Sequence, residues 1–89
     1  MNEQELLGGV LAELLAIAPE VNPAGLDRAR LLREQVDLDS MDWLNFLIGL
    51  HSRFKVDIPE SDYARLRTLD DLIGYLGARM DAPGTGGNR

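Results

Sequence analysis

Asp39-Ser40-Met41-Asp42-Trp43-Leu44-Asn45-Phe46-Leu47-Ile48-Gly49-Leu50-His51-Ser52-Arg53-Phe54 is the stretch on which the fold turns. From Met41 onward it has no Pro and one Gly, and large apolar residues recur at three- and four-residue steps as Leu44, Leu47, Leu50 and Phe54. That spacing predicts a helix over about Ser40–Phe54, with those four residues as its core face. Met41 and Ile48, seven residues apart, fall on a partly exposed side. The helix carries more large apolar residues than one buried stripe needs, Trp43 and Phe46 among them. Asp39 or Ser40 can cap its start, a side-chain oxygen accepting one of the orphan N–H groups of the first turn. Taken alone, Ser40 reads as a capping serine.

Outward from this helix the chain is helical throughout. Leu6, Leu7, Val10, Leu11, Leu14 and Leu15 form the stripe of an amphipathic helix over about Glu3–Ile17, weakened by Gly8-Gly9 at about 1 kcal/mol per exposed Gly. Pro19 and Pro23-Ala24-Gly25 end it and open a long connection to Leu38, with Leu26, Leu31, Leu32 and Val36 expected to point inward. Asp27–Gln35 is rich in helix formers and is expected to add a helical turn or two. A short third helix is predicted over about Glu60–Leu66 and a fourth over about Leu69–Met80. The expected fold is therefore all-α, a four-helix bundle with a long loop between helices one and two. Residues 1–80 form the domain, and the Gly-rich 81–89, without large apolar residues, a flexible tail.

Composition narrows the function. Eighty-nine residues make one small domain, too small for a usual enzyme with a separate substrate pocket. A net charge of -6 argues against nucleic acid and for basic partners. With no Cys, neither a disulfide framework nor a zinc finger is possible, and any thiol must be imported. The acidic N-terminus is unlike a signal peptide and no apolar run suits a membrane span, so a cytoplasmic monomer is expected. Asp37, Asp39 and Asp42 cluster, but a calcium loop starting at Asp37 would need other residues where Met41, Asp42 and Ile48 stand, so no metal site is read. Single scattered acids and the lone His51 give no acid–base or nucleophilic set; no catalytic residue is assigned.

Three spacings then converge. Asp39-Ser40-Met41 opens the second helix and Phe54 closes it; Ile58-Pro59-Glu60-Ser61-Asp62 leads to the third; Thr68-Leu69-Asp70-Asp71-Leu72 opens the fourth. In this order, without a gap from about Leu32 to Leu76, the chain resembles the acyl carrier protein family. The resemblance implies a 4′-phosphopantetheine arm, moved from coenzyme A onto Ser40 by a phosphopantetheinyl transferase, with Asp39 beside it. Acyl cargo then rides the arm's thiol as a thioester between acyl-activating and acyl-transfer enzymes, as in fatty acid biosynthesis. The protein would carry and not catalyse. Met41, Asp42, Trp43 and Ile48 are the expected partner contacts. Asp39 and Asp42 can equally be helix-start residues.

The chain departs from that family in several places. Trp43 occupies a position that is usually small or polar, and its ring would cover the arm, narrow the acyl cavity, face a partner or simply join the core. Asn45, His51 and Ser52, with Arg53 and Lys55 close behind, replace much of the acidic face that meets basic enzymes, implying a dedicated partner set in a lipid or secondary-metabolite pathway. Asp37 stands where Gly is common, which puts the loop backbone in question. Leu38 argues against peptidyl carriers. Two alternatives remain: an aminoacyl or polyketide carrier, and an unmodified interaction module using Met41, Trp43 and Ile48.

Overall fold

The computed structural model describes residues 2–80; Met1 and residues 81–89, including the end expected to be flexible, lie outside the described residues. The chain forms helices α1 (Glu3–Ile17), α2 (Leu32–Gln35), α3 (Ser40–Phe54) and α4 (Leu69–Met80), with 3-10 helices at Pro23–Gly25 and Glu60–Arg65. The three long helices keep the predicted bounds. The expected third helix is a 3-10 helix ending at Arg65, one residue early, and the Asp27–Gln35 stretch forms the single turn of α2, within the turn or two expected.

Each long helix starts on a local side-chain cap. Asn2 and Glu5 close a capping box at α1, the Glu5 amide donating to Asn2 Oδ1 at 2.8 Å. Thr68 and Asp71 do the same at α4: the Asp71 amide donates to Thr68 Oγ1 at 2.9 Å, and the Thr68 amide to Asp71 Oδ2 at 3.2 Å. At its far end α3 stops on Lys55, in the left-handed region at φ 56°. His51 Nδ1 sits 2.7 Å from the Val56 carbonyl oxygen, an N–H donor that ties the last turn to the chain beyond it.

The core gathers Leu6, Val10 and Leu14 of α1, Phe46, Leu47, Leu50 and Phe54 of α3, and Leu69, Leu72, Ile73 and Leu76 of α4. Leu44 is not among them. It is 36% exposed, whereas Phe46 is wholly buried, which corrects the expected core face of α3. The helix is apolar on so many faces that spacing alone blurs the edge of the buried stripe; Phe46 joins the core, packed on Trp43, and Leu44 lies on the exposed side.

Two glycines allow α1 to lie close against α3. A Cβ on Gly9 would collide with the buried Phe54 ring, and one on Gly49 would meet the carboxylate of Glu13, which pairs with Arg53 at 2.6 Å. Gly8, by contrast, faces open space.

The long connection is pinned, not slack. Leu32 and Val36 are buried as expected, but Leu31 is 39% exposed and does not point inward, because it lies in a short antiparallel bridge with Thr68. The Leu32 amide donates to the Arg67 carbonyl at 2.9 Å. Gln35 exchanges two hydrogen bonds with the Asp27 backbone, at 2.7 and 2.9 Å. Arg28 bridges Glu3 (2.7 Å) and Asp70 (2.9 Å), joining the starts of α1 and α4.

The Glu60–Arg65 helix is fastened to α4 through buried Asp62. Tyr75 Oη donates to Asp62 at 2.6 Å, Arg79 pairs with it at 3.1 Å, and Arg65 pairs from within the same short helix. The Tyr75 hydrogen bond, then the one from Arg65 and both positive charges, hold the Asp62 carboxyl below its usual range despite burial. Burial, reinforced by the bond to Asp62, pushes the Tyr75 phenol up.

The adjacent glycines therefore respond in opposite directions. Gly8→Ala is expected to stabilise by about 0.5–1 kcal/mol through helix propensity. Gly9→Ala overpacks Phe54 by roughly 1–3 kcal/mol, outweighing the same gain. Urea denaturation midpoints of the two variants check this.

Candidate functional site

The start of α3 settles which residue caps it. Asp39 is the N-cap, with extended backbone at φ −78° and ψ −179°, and its Oδ1 accepts the Asp42 amide at 2.8 Å. Ser40 is the first helical residue and exposed. Among the described residues its hydroxyl has no hydrogen-bond partner, so the capping role falls to Asp39 and the hydroxyl is left uncommitted. The Ser40 and Met41 amides precede the capped one, at the positive end of a fifteen-residue helix. A phosphodiester on the hydroxyl would meet those free donors and that dipole, so the residues present fit such a group.

The loop leading to Ser40 needs no special backbone. Lys55 is the only non-Gly residue with positive φ among those described, so Asp37 sits comfortably where a glycine was in question. Leu38 is buried, and its carbonyl accepts a hydrogen bond from Arg33 at 3.2 Å. The anchored connection thus delivers Asp39 and Ser40 to the helix from a fixed approach.

Beyond Ser40, α3 presents an exposed apolar stripe: Met41 at 66%, Leu44 at 36% and Ile48 at 49% exposure, three and four residues apart. Leu44 is the member that the sequence reading placed in the core. The steps from Met41 to Leu44 to Ile48 are themselves a helical stripe, and this was the signal that could have found it. Asp42 is half-buried, with its amide taken by Asp39.

Trp43 belongs to neither the core proper nor the open surface. Half-buried, it packs on Phe46 at a ring separation of 5.3 Å, and the Arg33 guanidinium lies 5.8 Å from its ring centre. It lines a groove of about 520 Å³ together with Leu31, Leu38, Tyr63 and Leu66. Ser40 does not line the groove, but Leu38 and Trp43 stand two and three positions from it in the chain, which puts the groove near the serine. A larger and shallower trough runs along Phe54, Lys55 and α4, but it lies at the other end of α3, about 20 Å away at 1.5 Å per residue. Its size does not make it the site.

Comparison with known proteins gives the family. The family model for the phosphopantetheine attachment site matches residues 5–76. The meromycolate extension acyl carrier protein of Mycolicibacterium aurum is 27% identical over 75 residues, covering 84% of this chain and 76% of that protein. The protein of that name from Mycobacterium tuberculosis strain H37Rv is 24% identical over 76 residues, and the match spans only 65% of its length. The acyl carrier protein of Kineococcus radiotolerans is 28% identical over 75 residues, 84% of this chain and 91% of its own.

The chain belongs to the acyl carrier protein family. Its cofactor is a covalently attached 4′-phosphopantetheine, and it is a carrier and not an enzyme. No helix among the described residues is long and apolar enough to cross a membrane.

The division of labour at the helix start has a direct thermodynamic signature. Asp39→Ala is expected to cost about 1 kcal/mol (range 0.5–2) through the lost cap. Ser40→Ala is expected to stay within about 0.5 kcal/mol of the parent. Thermal or urea unfolding of the two variants checks the contrast.

Proposed function

We propose that Ser40 carries the phosphopantetheine arm and that the protein serves a dedicated lipid pathway, moving acyl chains between enzymes from the groove and face near the serine. The observation that carries this reading is the uncommitted Ser40 hydroxyl: Asp39 does the capping, so the serine can be esterified without loosening α3. A phosphopantetheinyl transferase joins the Ser40 oxygen to the pantetheine-side phosphorus of coenzyme A. The serine gives up its proton and the pyrophosphate bond breaks to release adenosine 3′,5′-bisphosphate, and the thiol that the chain lacks arrives with the arm. Asp39 keeps its place beneath the new group, and the free Ser40 and Met41 amides face the phosphate.

Met41, Leu44 and Ile48 are the apolar contacts offered to partner enzymes, and Asp42 the acidic one beside the attachment point. Leu44 joins this set through its exposure. Asn45, Ser52 and Lys55 stand exposed farther along, so α3 offers little negative charge after its first turn. Enzymes that steer on an acidic helix would meet this face slowly, which favours a dedicated set. Trp43 belongs to the groove more than to the docking face. Similarity to meromycolate extension carriers supports fatty acyl cargo over aminoacyl cargo, and we assign the work to a cytoplasmic monomer.

Incubation with coenzyme A and a broad-specificity phosphopantetheinyl transferase, followed by intact mass, tests the assignment. One phosphopantetheine is expected on the parent chain and none on Ser40→Ala. Failure of the parent to gain the arm, beside a standard carrier that does, would overturn the assignment and favour an interaction module built on Met41, Trp43 and Ile48.

A further inference from the structure

The groove near Ser40 is not simply apolar. Arg33, Glu34 and Arg67 line it together with Leu31, Leu38, Trp43 and Tyr63. In a chain with 15 acids against 9 Lys and Arg, a free arginine has many possible partners. Arg28 takes two, and Arg53, Arg65 and Arg79 take one each. Arg30, Arg33 and Arg67 pair with no carboxylate among the described residues, and the last two of these stand on this one groove. Arg33 is held in place without being neutralised, one N–H on the Leu38 carbonyl and its guanidinium against the Trp43 ring, with donors to spare. Arg67 is exposed, and the hydrogen bonds at that residue are made by its backbone, the amide to Asp71 and the carbonyl from Leu32.

We propose that this groove selects an acyl cargo with an apolar body and a terminal carboxylate, the body against Trp43, Tyr63 and the leucines and the carboxylate between Arg33 and Arg67. This rests on Ser40 as the attachment point, from which the arm can fold back over Leu38 and Trp43. The volume of about 520 Å³ lies within the range of small-ligand pockets and accommodates a chain of several carbons. A guanidinium fork pairs with a carboxylate through charge-assisted hydrogen bonds, whereas a methyl-ended chain leaves both arginines as they are in the empty groove. Glu34 opposes the assignment electrostatically and sets the sign of its own test. Phosphate is already provided for at the helix start, so the arm's phosphodiester does not need these cations.

Trp43, the only tryptophan, reports on the groove directly through its emission. The unmodified protein is titrated at low salt with a pantetheine thioester of a straight-chain dicarboxylic acid, with its methyl-ended counterpart of equal length, and with 4′-phosphopantetheine lacking an acyl group. The carboxylate-ended thioester is expected to bind about tenfold more tightly than the methyl-ended one, the scale of one charge-assisted contact. Arg67→Gln, which leaves Trp43 and its neighbours untouched, is expected to erase that preference, and Glu34→Gln to strengthen it. Equal affinity for the two thioesters, or a preference that survives Arg67→Gln, overturns the proposal. So does Arg67-dependent binding of 4′-phosphopantetheine equal to that of the carboxylate-ended thioester, which would assign the cations to the arm. Because these ligands bind without attachment, failure here is distinct from failure of Ser40 to accept the arm.

Discussion

The 2.8 Å hydrogen bond from the Asp42 amide to the Asp39 carboxylate is the contact on which the functional end of the molecule depends. It ends the long connection and begins α3 at one defined residue. It also places the serine one position inside the helix, where its side chain is no longer needed for the cap. Had Ser40 been the N-cap, modifying its oxygen would have removed an acceptor from the helix start and cost about 1 kcal/mol. With the neighbouring carboxylate in that role, attachment and helix stability are separated. The acidic residue before the serine thus has a structural task whatever it later touches.

Rigid support for that end comes from packing farther away. Gly9 lets α1 press on Phe54, Phe46 fills the space among the long helices, and the bridge from Leu31 to Thr68 holds the connection against the start of α4. The Asp62 cluster fixes the Glu60–Arg65 helix to α4, and with it the Tyr63 wall of the groove. Ser40 is therefore carried on a helix whose surroundings are fixed from several sides, while its own surface stays open. That combination suits a carrier, which must present one arm to several enzymes without reorganising its fold.

The helices were legible because their signals are local. Asn2, Asp39 and Thr68 each stand just before an apolar-periodic run, and Pro and Gly mark the breaks, so the bounds of the three long helices follow from short stretches of chain. Most of the inward face of α3 was legible, since Leu47, Leu50 and Phe54 are buried and Met41 and Ile48 exposed as their spacing implies; Leu44 and Phe46 were exchanged, because so many apolar residues on this helix blur the edge of the buried stripe. Leu31 was misplaced for a similar reason, its side chain being set by pairing with Thr68, 37 positions away in the chain. The proposal for Ser40 draws on its spacing to Ile58-Pro59 and Thr68-Leu69, whereas its freedom from capping depends on the backbone angles of Asp39 and was not in the sequence. Nor could spacing bring Arg33 and Arg67 to one groove, because they come from different connections that meet only in the folded chain.

The most direct test of the central claim is the amide spectrum of the ¹⁵N-labelled protein before and after the arm is attached. The Ser40 and Met41 amides, free at the helix start, are predicted to shift as the phosphodiester forms. The Asp42 amide is predicted to exchange at the same rate before and after, because its bond to Asp39 does not change. Faster exchange at Asp42 on attachment, or unmoved Ser40 and Met41 resonances in a fully modified sample, would contradict the account.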